Sequence, residues 1–140
     1  MFPAFFLRYY PRLKPLLLNA TITYVCVPVQ SGSERILRLM GRPANLRALG
    51  KALSEIRREA PSVRLFSHFM FGFPTETDED FQETVQFSQR FHECLFLLYG
   101  ENAHTLAADI LPKCPLEDRL RRKRELEKMI TVGQLKGLVV

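Results

Sequence analysis

Two segments of the chain, each an apolar run followed by a tight turn and a capped helix start, constrain its fold most. The first covers residues 27–37 and reads VPVQSGSERIL, and the second covers residues 70–81 and reads MFGFPTETDEDF. Two strand–turn–helix units in series predict an α/β fold with a parallel sheet of βα units. Ligands of such sheets gather at the edge where strands end and helices begin. Both segments are therefore expected on one rim of the fold, where ligands bind.

Apolar runs rich in β-branched and aromatic side chains predict three strands, at residues 21–29, 63–71 and 94–99. The first of them is apolar at nearly every position, a pattern typical of a strand that is buried on both faces. The lead-in over residues 4–19 is predicted to be only partly helical, because Pro11 and Pro15 interrupt it.

Four helices are predicted between and after the strands from apolar spacing and capping residues. The expected capping residues are Ser31 or Ser33, then Asn45, then Thr77 with Asp80. The first of these helices is short and ends at Gly41, and the second is amphipathic. The last begins at Pro115 and extends to Ile130.

The charge of the chain is modestly positive, with 20 Lys and Arg against 15 Asp and Glu, a formal net charge of +5. This balance permits a phosphate-bearing partner but does not require one. The basic run Arg119–Arg124 could contact RNA phosphates, but the acidic residues around it favour a solvated helix face. The apolar start of the chain is too short for a membrane span, and no later run reaches that length, so no membrane partner is expected.

Three cysteines, at positions 26, 94 and 114, are far apart and show no zinc or cluster spacing. Cys26 and Cys94 lie in predicted apolar strands and are expected to be buried thiols, which fits a reducing, cytoplasmic compartment. The sequence contains no catalytic triad signature, no phosphate-binding P-loop and no metal-ligand spacing. We therefore assign no catalytic residue and no metal ligand.

Both rim segments have a structural and a functional interpretation. The turn at Gln30–Ser33 could present free backbone N–H groups to a carboxylate or phosphate, or it could simply cap a helix. In the second turn, Gly72 could let a ligand ring approach the backbone, Phe73 could pack on that ring, and Glu76 could accept hydrogen bonds. Alternatively, Gly72 only ends a strand before the capping box. Taken alone, each turn favours the structural interpretation.

Taken together, the two segments resemble the radical S-adenosylmethionine methylthiotransferases. Residues 28–42 resemble the family segment "PVQSGS…vL..M.R", and residues 72–81 resemble its "GFPtEteedF". The loop at residues 105–108 is similar to the "GT.AA" of that family, and the basic run Arg119–Arg124 suits its "…P…k..R" pattern. Order and spacing agree from about Tyr10 to Ile130.

The resemblance implies a fold, cofactors and a function. The family has an open six-stranded, TIM-like (β/α) barrel, so residues 1–140 would form a single partial domain, the second half of that barrel plus a C-terminal helix. The intact family transfers a methylthio group, typically to a modified adenosine of tRNA, or to a ribosomal-protein side chain, using S-adenosylmethionine and a [4Fe–4S] cluster. By resemblance, the positions near the cofactor or substrate are Gln30, Ser31, Ser33, Met70, Gly72, Phe73 and Glu76.

Departures from the family pattern are equally specific. The cysteine loop CxxxCxxC, which holds the cluster, does not occur in this sequence, so the chain is not expected to be active alone. Cys26 and His68 stand where the family has His and Asp, and Asn102 and His104 replace the Arg and Gly of its "R.GT" loop. The alternatives are a non-catalytic remnant that binds a nucleotide or RNA, and a piece of another radical enzyme, such as a cobalamin-dependent one.

A half barrel also has a physical consequence for its first strand. That strand would leave an unpaired apolar edge, which invites association with another chain. We therefore expect the isolated chain to be marginally stable, aggregation-prone or partnered, either with the missing barrel half or with another chain. A monodisperse monomer that melts cooperatively would contradict this expectation.

Overall fold

A four-stranded parallel sheet organises the chain in the computed structural model, which describes all residues from 1 to 140. The helices are α1 (Pro3–Leu18), α2 (Glu34–Leu39), α3 (Leu46–Glu59), α4 (Asp78–Ser88) and α5 (Leu116–Thr131). The strands are β1 (Tyr24–Cys26), β2 (Arg64–Phe71), β3 (Glu93–Leu98) and β4 (Gly137–Val139). A short 3₁₀ helix covers Leu106–Asp109. None of the helices is long and apolar enough to cross a membrane.

The strands follow one another across the sheet in chain order, and every neighbouring pair is parallel. This confirms the predicted sheet of βα units. In the register, Cys26 lies beside Phe66, His68 beside Leu95, and Leu95 beside Leu138. β1 pairs only with β2, so no strand lies along its other edge, as expected for the first strand of a partial barrel. Only the amino group of Met1 contacts that edge, donating to Cys26 O at 3.1 Å.

The N-terminal helix corrects one prediction, since α1 runs unbroken through Pro11 and Pro15. Each proline removes one helical hydrogen bond, but packing of α1 on α3 holds the helix together. Phe6 and Leu17 lie in the main core. On the same side, the Tyr10 hydroxyl donates to Glu55 Oε2 at 2.8 Å. Tertiary contacts therefore override the local signal of the prolines.

The first strand is much shorter than the predicted span of residues 21–29. Pro28 has no N–H to donate, so the ladder with β2 breaks after Cys26. Ser67 bridges the gap, because its hydroxyl donates to Val27 O at 2.7 Å and accepts from Val29 N at 3.3 Å. The chain rejoins β2 at Gln30 through an isolated parallel bridge.

The two faces of the sheet differ in burial, which corrects the prediction that the first strand is covered on both sides. Along β2, residues 65, 67, 69 and 71 are buried in the core, whereas Phe66, His68 and Met70 alternate with them and are only half-buried. On β1 the side chain of Tyr24 is 58% exposed and that of Cys26 is half-buried, so Cys26 is not the fully buried thiol that was predicted. We call the side that carries Tyr24, Phe66, His68 and Met70 the open face.

The fourth strand was not predicted. It extends the sheet beyond β3, and Gly137 lies so close to Cys94 that a side chain there would overlap the backbone of β3. The helix caps, in contrast, are confirmed. Ser33 accepts a hydrogen bond from Ile36 N, Asn45 accepts one from Ala48 N, and Thr77 and Asp80 form a reciprocal capping box.

Candidate ligand site at the carboxyl edge of the sheet

Both predicted turns lie at the carboxyl edge of the sheet, here called the rim. Gln30 N donates to His68 O at 2.9 Å, and Gln30 O accepts from Met70 N at 2.8 Å, so the first turn is fixed beside the end of β2. Gly72 follows directly after β2. The next strand contributes Tyr99, whose N–H donates to Phe71 O at 2.9 Å. The structure therefore brings the two segments together, as the βα pattern predicts.

Two rim residues adopt a backbone conformation that is unfavourable for their type. Gln30 has a φ of 76° and Thr75 a φ of 66°, both in the left-handed region, although neither is a glycine. Thr75 is held there by Pro112 O, which accepts from its N–H at 2.9 Å, and by Arg35, which donates to its carbonyl at 2.7 Å. Such strain persists only where the surrounding contacts enforce it, and it is frequent at ligand sites.

The first turn is anchored to α4 through Thr84. Gly32 N donates to Thr84 Oγ1 at 2.9 Å, and the hydroxyls of Ser31 and Thr84 lie 3.2 Å apart. A side chain at Gly32 would come within 2.6 Å of Thr84 Cα and would overlap the carbonyl of Glu83. Ser31 is consequently fully buried. Its side chain holds the turn against the helix and is not directed to solvent.

Asp80 connects the two rim segments. It accepts hydrogen bonds from Ser33 Oγ at 2.6 Å, from both Thr77 N and Thr77 Oγ1, and from the Arg35 guanidinium. Burial by itself would raise the pKa of Asp80, but the bonds from Arg35, Ser33 and Thr77 outweigh it and hold that pKa below its usual range. The hydroxyl of Ser33 thus donates its hydrogen bond to an ionised carboxylate.

A buried ion pair between Glu76 and Arg122 lies on the inner side of the second turn and fixes its backbone. Glu76 Oε2 accepts from Gly72 N at 2.7 Å and from Arg122 Nη1 at 2.7 Å. The exposed side-chain fractions are 0% for Glu76 and 2% for Arg122. Burial raises the pKa of Glu76 to about 7, although the Gly72 N–H and the Arg122 charge oppose the shift.

The position of Arg122 corrects the prediction that Arg119–Arg124 forms a solvated face. Arg122 points inward, and besides Glu76 it donates to Asp78 Oδ1 at 3.0 Å and to Cys114 Sγ at 3.0 Å. Arg121 pairs with the exposed carboxylates of Asp78 and Asp118. The signal for this burial is helical spacing, since Arg122 lies four residues before Leu126, the other buried residue of α5.

Gly72 has a φ of 76°, which favours glycine, and its surroundings are closed on one side. A side chain there would come within 2.8 Å of Arg119 Cγ and 2.9 Å of Arg119 Cδ. Because Gly72 has no side chain, α5 can pack closely against it. Any ligand ring that approaches the Gly72 backbone has to do so from another side.

Apolar side chains form a small cluster beside these turns. Phe73 and Tyr99 pack edge to face with ring centroids 5.1 Å apart, and Ile36 completes the buried part. Met70 packs against this cluster from the open face and remains half-buried. Of the predicted apolar contacts, Met70 is accessible, whereas Phe73 is 3% exposed.

Several polar groups at the rim have no partner within the chain. The Gln30 side-chain amide is half-buried and takes part in no hydrogen bond. The buried side-chain atoms without a partner are Glu76 Oε1, Tyr99 Oη, Arg119 Nε and Arg122 Nε. All of them belong to residues around the second turn. Tyr99 belongs to the cluster of Phe73 and Met70, so its unpaired hydroxyl and the Gln30 amide fit a site that an amphipathic ligand with polar groups completes.

The residues of this chain do not fit an iron–sulfur cluster. No group of three His, Cys, Asp or Glu side chains lies close enough together to hold a metal ion. Burial raises the pKa of Cys94 to about 12, and it also raises the pKa of Cys26 and Cys114, which disfavours the thiolate form that binds iron. No step that requires the cluster can therefore be assigned to these residues.

Comparison with known proteins agrees with this architecture. A profile of the radical SAM superfamily matches residues 6–88, which is more than half of the chain, so the chain belongs to that superfamily. The ribosomal protein uS12 methylthiotransferase RimO of Thermotoga petrophila is 39% identical over 111 residues, which are 78% of this chain and 26% of that protein. The tRNA-2-methylthio-N(6)-dimethylallyladenosine synthase of Bordetella pertussis is 33% identical over 115 residues, 81% of this chain and 26% of that protein.

These relatives identify the family within the superfamily to which the chain belongs. The RimO protein of Thermodesulfovibrio yellowstonii is also similar, with 36% identity over 107 residues, 75% of this chain and 25% of that protein. The chain is a member of the radical SAM methylthiotransferase family. It spans about a quarter of the length of the curated relatives that it matches.

Proposed function

We propose that residues 1–140 are one partial radical SAM domain of a methylthiotransferase and that the rim binds the adenosine part of S-adenosylmethionine. The observation that carries this proposal is the meeting of the two turns at one edge, where the Gln30 amide and the buried Tyr99 hydroxyl lack partners. In the intact family, S-adenosylmethionine supplies a sulfonium that one-electron reduction cleaves. The reducing cluster would have to come from residues outside this chain.

The rim residues divide into two roles under this proposal. Gln30 and Met70, which are accessible, contact the ligand, and Phe73 shapes the apolar wall behind it. The side chains of Ser31, Ser33 and Glu76 are occupied by Thr84, Asp80 and Arg122, so they position the turns without touching the ligand. The N–H of Gly72 is already held by Glu76, so only its carbonyl is left to contact the ligand.

The open face supports the need for a further part of the barrel. Cys26 and His68, which replace the family's His and Asp, both lie on this face near its half-buried aromatic side chains. The free edge of β1 lies at its border. We propose that the missing barrel half, in the same protein or on another chain, pairs with this edge and covers the face.

For the target of the intact enzyme we propose a modified adenosine of tRNA. The Bordetella pertussis relative, which is named for such a product, matches 81% of the chain. A ribosomal-protein target is the second candidate, because the identity to the Thermotoga petrophila uS12 enzyme is higher, 39% against 33%. The target decides which macromolecule reaches the rim, whereas the proposed cofactor site is common to both.

A pair of chimeras tests the proposal. In each of the two relatives, the matching segment is replaced by this chain, and the products are analysed by mass spectrometry of tRNA and of protein uS12. We expect both chimeras to bind and cleave S-adenosylmethionine and the tRNA enzyme's chimera to methylthiolate tRNA. Gln30→Ala should weaken binding of S-adenosylmethionine about tenfold in either chimera. Arg38→Ala, on the exposed side of α2, is the matched control.

Other outcomes would lead to different conclusions. Activity only in the uS12 enzyme's chimera would favour the second target. Chimeras that fold and hold their clusters but cleave no S-adenosylmethionine would contradict the proposed function. If the isolated chain bound S-adenosylhomocysteine at the rim while both chimeras were inactive, the non-catalytic remnant would be the better description.

A further inference from the structure

A cleft lies at the amino edge of the sheet, opposite the rim. Two adjoining cavities, of about 590 and 430 Å³, share Arg57 and Gln89. His92 and Lys136, which directly precede β3 and β4, line the larger cavity, and Arg90 lines the smaller. We call this feature, defined by Arg57, Arg90, His92 and Lys136, the basic cleft.

The charge of the basic cleft is not balanced by carboxylates. None of the residues that line the two cavities is Asp or Glu. Arg57, Arg90 and Lys136 take part in no ion pair. Glu59 pairs with Arg58 of the smaller cavity at 2.7 Å and with Lys14 at 3.0 Å. Glu93, which follows His92, is in register with Phe66 and so belongs to the open face.

His92 is held in one orientation and one tautomer by β2. The backbone N–H of His92 donates to Leu65 O at 2.8 Å, and the ring Nδ1 of His92 accepts from Leu65 N at 2.9 Å. Because Nδ1 is an acceptor, the neutral ring carries its proton on Nε2, and this second donor has no acceptor in the chain. Burial lowers the pKa of His92, and the positive charges of Arg57, Arg64 and Lys136 lower it further.

A structural role accounts for only part of this arrangement. Arg57 Nη1 donates to the carbonyls of Gln89 and Arg90, both at 3.3 Å, and thereby caps the end of α4. Its Nε and Nη2 donors remain unused. Arg90 packs over the Phe87 ring with 5.5 Å between guanidinium carbon and ring centroid, and its Nη1 donates to Ser54 Oγ at 3.4 Å. Lys136 lines the cleft and takes part in no ion pair. Unpaired donors of Arg57, His92 and Lys136 therefore line the cleft without an acceptor.

We infer that the basic cleft binds a phosphate group, either free or carried by RNA, between Arg57, His92 and Lys136. A phosphate offers the several acceptor oxygens and the negative charge that these donors lack. The site lies at the opposite edge from the proposed cofactor site and does not depend on that proposal.

Nuclear magnetic resonance of the His92 ring in this chain tests the inference. Inorganic phosphate is titrated at constant ionic strength, with chloride as the reference anion. We expect a saturable shift of the His92 Nε2 resonance and a rise in the pKa of His92, because a bound anion favours the imidazolium. Arg57→Gln with Lys136→Gln should weaken the binding by at least about tenfold. The control Arg47→Gln, at the other end of α3, should not.

A second titration identifies the source of the phosphate. Fluorescence anisotropy of a labelled single-stranded RNA is measured with and without competing phosphate, at two salt concentrations. RNA binding that phosphate displaces and that Arg57→Gln weakens would assign the cleft to RNA. Phosphate binding without an effect on RNA would assign it to a free anion. Absence of a saturable His92 shift, or equal weakening by Arg47→Gln, would overturn the inference.

Discussion

At the rim, the buried carboxylates of Glu76 and Asp80 are each paired with an arginine, whereas at the amino edge the basic cleft has no carboxylate. Both edges carry several cationic side chains, yet their roles differ. Arg122 and Arg35 neutralise acids and fix the two turns, so they contribute to the structure. Arg57, Arg90 and Lys136 leave their charge available. Charge composition alone does not distinguish these two roles, since they depend on where the carboxylates lie in space.

The largest effect is expected from breaking the buried pair at the rim. At pH 8, above the pKa of Glu76, Arg122→Met leaves the ionised Glu76 buried without its cation and should lower the free energy of unfolding by about 3–5 kcal/mol. Urea denaturation followed by circular dichroism measures the loss. Arg121→Met, which removes an exposed arginine from the same helix, should have little effect. Glu76→Gln combined with Arg122→Met should recover part of the stability. Equal losses in Arg122→Met and Arg121→Met would show that the buried pair contributes no more to stability than an exposed arginine.

A smaller loss is expected where the first turn packs on α4. Gly32→Ala places a methyl group within 2.6 Å of Thr84 Cα, so the turn has to move and the free energy of unfolding should fall by about 1–3 kcal/mol. The same denaturation experiment measures it. Gly100→Ala is the control, since a side chain there would meet no atom within 4 Å. A neutral Gly32→Ala would show that the turn is not held tightly.

The pH dependence of stability distinguishes the two edges by sign. Glu76 has a pKa raised to about 7, so the folded state binds its proton more tightly, and this contribution is full below about pH 4.5 and lost as the pH rises through 7. His92 has a lowered pKa, so its contribution is complete above about pH 6.5 and is lost as the pH falls below that value. Comparing Glu76→Gln and His92→Gln with the parent chain between pH 5 and 8 separates the two slopes.

Each slope has a definite expected result. With increasing pH, Glu76 should lower the free energy of unfolding by an amount on the order of 1–2 kcal/mol, and Glu76→Gln should abolish this decline. His92→Gln should abolish the opposing rise in the free energy of unfolding. Thermal melting at each pH provides the measurement. A parent profile that Glu76→Gln leaves unchanged would contradict a protonated Glu76 in the folded state.

The smallest effect is expected at the amino edge. Lys136→Gln removes an exposed side chain that has no partner, so the free energy of unfolding should change by less than about 0.5 kcal/mol. Comparing Lys136→Gln with Arg122→Met therefore contrasts an arginine that stabilises the fold with a lysine that has no partner. A loss as large as that of Arg122→Met would show that the amino-edge charges are structural too.

Much of the fold followed from local patterns. The capping residues Ser33, Asn45 and Thr77, the parallel pairing and the last helix were predicted correctly, because hydrogen-bonding side chains and apolar periodicity act within one turn or one strand. The unbroken α1, the short β1 and the fourth strand were not predicted. Each depends on contacts between distant segments, which local propensity does not contain.

The candidate site divides in the same way. The positions of Gln30 and Gly72 on one rim followed from the βα pattern, and so did the family resemblance. We did not predict that Arg122 is buried, that Arg119 covers Gly72, or that Ser31 and Ser33 bond to α4. The predicted roles of these residues in ligand binding stay predictions, and the structure separates accessible side chains from those held inside.

By itself, the sequence determined the order of the helices and of the first three strands, the edge at which the two turns lie, and the lack of a cluster-binding cysteine loop. Only the tertiary structure decided which charges are paired. Arg122 and Lys136 are both basic residues in the last part of the chain, but one meets a buried carboxylate and the other meets none. The physical reason is that the energy of a charge depends on its burial and its neighbours in space, and packing brings those neighbours from distant parts of the chain.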